Sequence, residues 1–159
     1  MYLTRQADYA MRLLIHLAVQ PGSITTIQEV ADRFGISRNH LMKVANRLTR
    51  AGYVAGTRGR AGGLKLARSA DRINIGEVLR TVEDWNLVEC FESSSPNCRI
   101  APACGLQFVL KEAVEAFLAV LDRYSLADVV RRKSVLIQVL GLPRVSKGVE
   151  SSRIPGRHF

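Results

Sequence analysis

The sequence predicts a mainly α-helical fold with one small β-hairpin: a winged helix-turn-helix head followed by a long C-terminal dimerisation helix. Three observations predict it. Two short helical patterns are joined by a turn at Gly35, which is the helix-turn-helix arrangement. Two short β-type runs around a glycine-rich tip follow within residues 53–66. Apolar residues then recur at alternating spacings of four and three over residues 106–124, which is typical of a helix that pairs with another helix.

The chain is strongly basic, and its charge is unevenly placed. The 159 residues include 23 Lys and Arg against 14 Asp and Glu, for a net charge of +9. Nine basic residues and one acid fall between Ile36 and Arg72. A basic block inside a folded segment predicts a polyanionic partner. Double-stranded DNA fits this block better than a membrane surface, because no basic amphipathic helix with an aromatic face lies there.

The protein is expected to be cytoplasmic and to have no membrane partner. The apolar stretch from Met11 to Val19 is interrupted by Arg12 and His16 and lacks a signal-peptide cleavage motif. No run approaches the roughly 18 apolar residues of a membrane-spanning helix. Three cysteines without an export signal fit a reducing compartment, where clustered thiols bind metal or do redox chemistry.

The first helix is predicted to start near Thr4, an accepted N-cap residue, and to end at Val19 before Pro21-Gly22. Its apolar positions recur at helical spacing. Asp8 and Arg12 lie four residues apart, away from that apolar stripe. From the residues alone, Asp8 is an acid near a helix start, stabilised by the helix dipole and by Arg12.

A capping box, Thr26 with Glu29, opens the next helix, which Gly35 ends. Ser37 is predicted to cap the second helix of the pair, from Arg38 to Arg50, and Gly52 closes it.

The helix at residues 38–50 is predicted to be the recognition helix. Its outward face combines side chains that bond base edges with phosphate-neutralising cations, and no acid occurs between Arg33 and Arg68. A basic face that is merely solvated is the alternative, but such faces usually include acids. The predicted DNA contacts on this helix are Arg38, Asn39, His40, Lys43 and Arg47.

The glycine-rich hairpin that follows is predicted to be the wing. Its tip carries Arg58 and Arg60 among Gly56, Gly59 and the pair Gly62-Gly63. Arginines at such a tip suit phosphate or minor-groove contacts. A nucleotide-binding loop is not favoured, because these glycines do not connect a strand to a helix in a βαβ unit.

The second half of the chain continues with helices. Asn74 and Glu77 open one helix, after which Trp85 is expected to pack the junction. The long helix at residues 105–124 carries two apolar stripes, one for the head and one for a partner subunit. One stripe comprises Leu106, Leu110, Ala113, Phe117, Val120 and Tyr124, and the other comprises Val109, Val114, Leu118 and Leu121. Ser125 and Asp128 cap a last short helix, and a basic tail rich in Gly, Pro and Ser follows. The predicted division is residues 1–84 for DNA binding, 85–104 for a cysteine loop, 105–133 for dimerisation and 134–159 for the tail.

All three cysteines, Cys90, Cys98 and Cys104, lie within one polar loop. The gaps of seven and five residues are unlike the close cysteine pairs of zinc sites, which also need four ligands. Iron–sulfur clusters accept irregular spacings but usually take four ligands. From spacing alone, an iron–sulfur cluster, a thiol redox switch, a zinc site and no metal at all remain open. No Ser/His/Asp group, paired carboxylates or phosphate loop indicates an enzyme.

Three motifs occurring together carry a resemblance to a known family. They are S-R-N-H-L-M-K-V at residues 37–44, A-G-Y-V-A-G-T-R-G-R-A-G-G at 51–63, and the cysteine trio ending in C-R-I-A-P-A-C at 98–104. Over residues 1–133 the chain resembles the winged-helix iron–sulfur regulators, and among them the nitric-oxide-sensing repressors.

This resemblance implies a homodimer with an iron–sulfur cluster in each subunit, [4Fe–4S] rather than [2Fe–2S]. It implies ligation by Cys90, Cys98 and Cys104, with Asp8 of the partner subunit completing the set and Arg12 supporting it. The gap between Cys90 and Cys98 is longer than is usual in the family.

The implied function is a nitric-oxide-responsive repressor that releases an inverted-repeat operator when its cluster is modified or lost. The alternative is a redox or cluster-supply sensor, thiol-based or similar to the IscR branch, with the same DNA-binding head. The IscR branch has a histidine ligand where this chain has Gln107.

Overall fold

The computed structural model describes residues 3–57, 59, 62–88, 91 and 98–143. It is mainly helical with one antiparallel hairpin, which confirms the predicted fold class. The elements are α1 (Arg5–Val19), α2 (Ile27–Phe34), α3 (Arg38–Arg50), β1 (Val54–Thr57), β2 (Gly63–Leu66), α4 (Ile75–Val82), α5 (Leu106–Leu121), α6 (Leu126–Val129) and α7 (Lys133–Val139). In the described part of the chain, 3₁₀ turns lie at Ala70–Arg72 and Ala101–Ala103.

The predicted caps of α1 and α2 are confirmed. The Thr4 hydroxyl accepts a hydrogen bond from the backbone N–H of Ala7, and Thr26 and Glu29 form a reciprocal capping box. Gly35 then ends α2 with a φ of 62°, a left-handed conformation that glycine adopts without strain.

Ser37 is the N-cap residue of α3, as predicted, but its side chain makes no cap hydrogen bond. At the other end, the N–H of Gly52 donates to the carbonyl of Thr49 and that of Tyr53 to Leu48, both at 3.0 Å. This pattern is a Schellman motif, and it turns the chain directly into the wing.

Helix α1 is the centre of the hydrophobic core. It packs against α2, α3, α4, α6, α7 and the wing strand β2. Its inward side chains are almost fully buried, which is why the apolar stripe could be recognised in the sequence. The buried residues of this stripe are Ala7, Ala10, Leu13, Leu14, Leu17 and Ala18.

The root of the wing is tied to the turn that precedes α2. Strands β1 and β2 pair from Val54 with Leu66 to Thr57 with Gly63. Thr25 and Leu64 exchange two backbone hydrogen bonds, of 3.0 and 2.7 Å. The base of the hairpin is therefore fixed to the helix-turn-helix unit.

Helix α5 is joined to the head through its second half. Val114 and Leu118 are buried, and Leu121 packs against the core. Arg80 and Asp122 form a two-pronged ion pair at the end of α5, with N···O distances of 2.5 and 2.7 Å. Val109, in the same predicted stripe as Val114 and Leu118, is 61% exposed, so this stripe meets the head only from Val114 onward.

The tail expected from residue 134 begins instead with a helix. Helix α7 packs on α1, and Leu142 after it is buried in the core. The amide of Gln20 donates to the carbonyl of Pro143 at 3.1 Å, and Arg33 donates to the carbonyl of Leu140. The rest of the predicted tail, residues 144–159, lies outside the described residues, and the division into domains stays a prediction.

Among the described helices, none combines the length and the apolar character needed to cross a membrane.

Candidate nucleic-acid interface and cysteine segment

The outward face of α3 is where the sequence analysis placed the DNA contacts. All five predicted side chains on this helix are exposed. They are Arg38, Asn39, His40, Lys43 and Arg47. Helical geometry keeps them outside because the opposite face, with Leu41, Val44, Ala45 and Leu48, is buried against the core.

The two predicted wing contacts, Arg58 and Arg60, lie outside the described residues. The strands that lead to them are described, and Leu64 of β2 pairs with Thr25 in the segment before α2. At the wing root the Arg68 guanidinium lies 4.8 Å from the ring centroid of Tyr53 and donates to the carbonyl of Gly52. Arg68 is therefore engaged in holding the wing.

The surface of α3 is a concentration of uncompensated positive charge. No acidic residue occurs in the sequence from Phe34 to Ala67. Among the described residues, the three ion pairs with N···O within 4.0 Å involve Arg12, Arg80 and Arg131, and none involves α3. Such a field attracts an anionic partner and favours its rapid association.

A cleft between the start of α1 and the flank of α3 extends this surface. Its volume is about 310 Å³, and it is lined by Arg5, Gln6, Tyr9, His40, Lys43 and Val44. Arg47 donates to the Gln6 side-chain oxygen across it at 3.4 Å. The sequence analysis missed the part of α1 in this cleft, because only tertiary packing brings residues 5–9 beside residues 40–47.

Two of the three cysteines are described. Cys98 and Cys104 are unpaired thiols, each partly buried, and Cys90 lies outside the described residues. Among the described residues, no group of three His, Cys, Asp or Glu side chains is placed to hold a metal ion. The donor chemistry nevertheless fits an iron–sulfur cluster, since thiolates are its principal ligands.

Asp8 lies on the solvent side of α1, and among the described residues it forms no metal-binding group with Cys98 and Cys104. Its side chain is 44% exposed and pairs with Arg12, with N···O distances of 3.0 and 2.9 Å. The carboxylate is therefore held in one orientation while remaining accessible to a second chain.

A buried carboxylate that the sequence analysis did not identify fixes the start of α1. Glu83 is 9% exposed and accepts hydrogen bonds from the Thr4 N–H at 2.9 Å and from the Thr4 hydroxyl at 3.0 Å. The segment that leads from Glu83 toward the cysteines is thus joined to the first turn of α1. Two positions 79 residues apart in sequence gave no local signal for this contact.

Trp85 packs at the junction, as predicted. Its ring lies 5.8 Å from that of Phe117 on α5, at an interplanar angle of 48°. A pocket of about 350 Å³ opens beside it, lined on the other side by Gln107, Lys111 and Val114. Among the described residues, the indole N–H of Trp85 is buried without a hydrogen-bond partner.

Comparison with known proteins places this arrangement in context. The sequence profile of the family described as "Rrf2: Iron-dependent Transcriptional regulator" matches residues 3–132. The HTH-type transcriptional regulator NsrR of Bacillus subtilis (strain 168) is 49% identical over 142 residues, which cover 88% of this chain and 97% of that protein.

Solved structures show the same architecture. CymR, the global cysteine regulator of B. subtilis, superposes with a TM-score of 0.62 at 27% identity, covering 83% of this chain and 98% of that one. IscR from T. potens superposes with a TM-score of 0.66 at 23% identity, covering 83% of this chain and 88% of that one. At 23% identity, the similarity to IscR supports the fold alone.

Proposed function

This chain belongs to the Rrf2 family and is a transcriptional regulator, and from that premise we propose that it is a nitric-oxide-responsive repressor. The observation that carries the proposal is the 49% identity with the regulator NsrR over 97% of that protein's length. The response to nitric oxide is what the resemblance to nitric-oxide-sensing repressors implies. In this role the protein acts in the cytoplasm and is not an enzyme.

The DNA-binding step rests on the exposed, acid-free face of α3. Arg38 and Asn39 lie at its leading end, where a recognition helix meets base edges, and Lys43 and Arg47 follow as phosphate partners. Arg58 and Arg60 at the wing tip are proposed to extend the contact to the backbone or the minor groove.

In the proposed function the protein acts as a homodimer, whose two-fold symmetry matches that of an inverted-repeat operator. The first half of α5 contacts little of the head and therefore leaves large apolar side chains exposed. An exposed apolar patch of this kind typically marks a protein–protein contact. The large exposed side chains along α5 and just after it are Leu106, Phe108, Val109, Val120 and Tyr124. Pairing these faces about a two-fold axis orients two recognition helices toward an inverted repeat, with half-sites about 34–36 Å apart.

Cys90, Cys98 and Cys104 are proposed to hold an iron–sulfur cluster, [4Fe–4S] rather than [2Fe–2S], with Asp8 of the partner subunit as the fourth ligand. When bound, such a cluster supplies iron that reacts with nitric oxide. Within the chain, Arg12 orients the Asp8 carboxylate, and α1 carries Asp8 as part of the core of the head. A change in the position of Asp8 therefore displaces the DNA-binding surface of the same subunit.

A thiol-based sensor is the second candidate, because Cys98 and Cys104 are both unpaired and partly exposed. Anaerobic purification followed by iron and sulfide determination separates the two candidates. An iron-free, colourless protein that still responds to oxidants would favour the thiol-based sensor.

The decisive experiment is a fluorescence-anisotropy titration of DNA with cluster-loaded, nitric-oxide-treated and cluster-free protein. The DNA is a duplex enriched from a random pool by the cluster-loaded protein. We expect the cluster-loaded form to bind at least tenfold more tightly than the treated form, which corresponds to about 1.4 kcal/mol. Equal affinity of all three forms would contradict the proposed switch.

The cluster ligands can be tested separately from the switch. Cys98→Ser should abolish the visible absorbance of the cluster. Asp8→Ala should retain iron but change its spectrum, because three thiolates remain. Asp32→Ala, which removes an exposed acid of α2, is the matched control and should leave the spectrum unchanged.

A further inference from the structure

The cleft between α1 and α3 contains positive charge that nothing in the described chain neutralises. Arg5, His40 and Lys43 line it, and among the described residues none of the three forms an ion pair or a side-chain hydrogen bond. The nearest acid along α1, Asp8, is paired with Arg12 instead. Basic groups held together without an acid repel one another, and an anion placed among them relieves that repulsion.

The position of Arg5 is unfavourable for the helix that carries it. Arg5 is the first residue of α1, directly after the N-cap Thr4. The positive end of the helix dipole lies there, so a cation at this site opposes helix stability. The Glu83 carboxylate already accepts hydrogen bonds from Thr4 at this terminus. Among the described residues, Arg5 forms no ion pair, so its guanidinium remains available to an external anion.

The geometry of α3 indicates which anion reaches the cleft. Because α-helical side chains advance by about 100° per residue, His40, Lys43 and Arg47 lie along one flank of α3, beside its most outward positions. A recognition helix in the major groove has base edges ahead of it and a sugar–phosphate backbone along each flank. The cleft is therefore placed where the backbone passes, and α1 forms its outer wall.

We propose that this cleft binds one phosphodiester of the operator backbone, with Arg5 and Lys43 as its charge partners and the Tyr9 hydroxyl as a further donor. Gln6 is a positioning residue, because its side-chain oxygen holds the Arg47 guanidinium at 3.4 Å. This inference rests on the proposed function and adds α1 to the DNA contacts. One helix then contacts the operator through Arg5 and Tyr9 and presents Asp8 on a neighbouring face.

The salt dependence of DNA binding tests the proposal. Each phosphate contact contributes a slope of about −0.9 to log K against log salt. In a homodimer with two clefts, Arg5→Gln should therefore reduce the magnitude of that slope by about 1.8. The ratio of the DNA affinity at 50 mM salt to that at 200 mM salt should then be about twelvefold smaller than for the wild type. The enriched duplex and a random-sequence duplex should weaken by the same factor, since a phosphate contact carries no sequence information.

The matched control is Arg123→Gln, which removes the same charge from an exposed site after α5. It should keep the wild-type slope to within about 0.3, because its charge lies outside the helix-turn-helix unit. Circular dichroism of Arg5→Gln should match the wild type, since the substitution removes an unfavourable cation from a helix start.

Neutral methylphosphonate linkages, placed one at a time along the enriched duplex, locate the contact. We expect one position in each half-site where the substitution weakens wild-type binding but has no further effect in Arg5→Gln. If the wild type binds DNA but Arg5→Gln keeps the wild-type salt slope and is weakened by the same methylphosphonate linkages, the proposed phosphate site in the cleft is refuted and the proposed function survives. If the wild-type protein binds neither duplex, the proposed function fails together with the cleft.

Discussion

Removal of the Glu83 carboxylate should loosen the start of α1, the element on which the proposed DNA and cluster contacts meet. Glu83 is 9% exposed, and its two hydrogen bonds with Thr4 measure 2.9 and 3.0 Å. A hydrogen bond to a charged group contributes about 1.5–3 kcal/mol when buried. Thr4 is exposed, so water replaces part of the loss. We therefore expect Glu83→Ala to cost about 2 kcal/mol in unfolding free energy.

The measurement is urea unfolding of the full chain followed by far-ultraviolet circular dichroism. A loss of about 2 kcal/mol corresponds to a melting temperature lower by roughly 4–8 °C in a chain of this size. Glu83→Gln keeps one acceptor oxygen and should lose about half as much. Glu112→Ala removes an exposed acid of α5 and should stay within about 0.5 kcal/mol of the wild type.

A double-mutant cycle separates the contact from other effects of the substitution. If Glu83 acts through Thr4, the combined change with Thr4→Ala should fall short of the sum of the single changes by about 1 kcal/mol. Additive changes, or a Glu83→Ala protein as stable as the Glu112→Ala control, would refute the reasoning.

Three further predictions concern pH and the wing. Burial lowers the pKa of His16 from its ordinary value of 6.5. The stability that neutral His16 contributes is therefore fully present above pH 6.5 and falls as the pH drops through the folded-state pKa. Denaturant titrations of His16→Leu should lack this fall, and an identical fall in the variant would exclude His16 as its source. Backbone and hydroxyl hydrogen bonds from Ser125 lower the pKa of Asp128 from 3.8 to about 2. The stability that Asp128 contributes is thus present above pH 3.8 and lost toward pH 2, and the difference from Asp128→Asn should vanish there; a constant difference would contradict the cap. In Gly63→Ala the new methyl carbon would lie 2.7 Å from the backbone oxygen of Thr25, so we expect a loss of about 1–3 kcal/mol in thermal unfolding, and an unchanged melting temperature would show that the wing root yields freely.

Local sequence signals were sufficient for most of the head. The stripe of α1, the capping box of Thr26 and Glu29, and the turn at Gly35 are each determined by residues within one or two helical turns. The outward face of α3 followed in the same way, because its composition differs sharply from that of its buried face. These predictions succeeded since each depends on neighbours in sequence.

The predictions that failed depend on distant neighbours. Residues 134–143 are rich in Val and Leu next to a basic tail, and only the core surface of α1 shows where Leu142 is buried. The proposed phosphate contact of Arg5 had no signal in the sequence, because only the packing of α1 on α3 brings Arg5 and Lys43 to the same cleft.

In the proposed switch, helix α1 is the physical route by which an event at the cysteines reaches DNA. Its first two turns bear Arg5 toward the cleft, Asp8 toward the solvent side and Thr4 on the Glu83 carboxylate. Helix α1 packs on six other elements, so bending it would disturb close-packed side chains. If Asp8 ligates the cluster as proposed, a displacement of Asp8 would also move Arg5, three residues away on the same helix. Coupling of about 1–3 kcal/mol between the two sites is typical of allosteric proteins, and it requires no second conformation of the recognition helix itself.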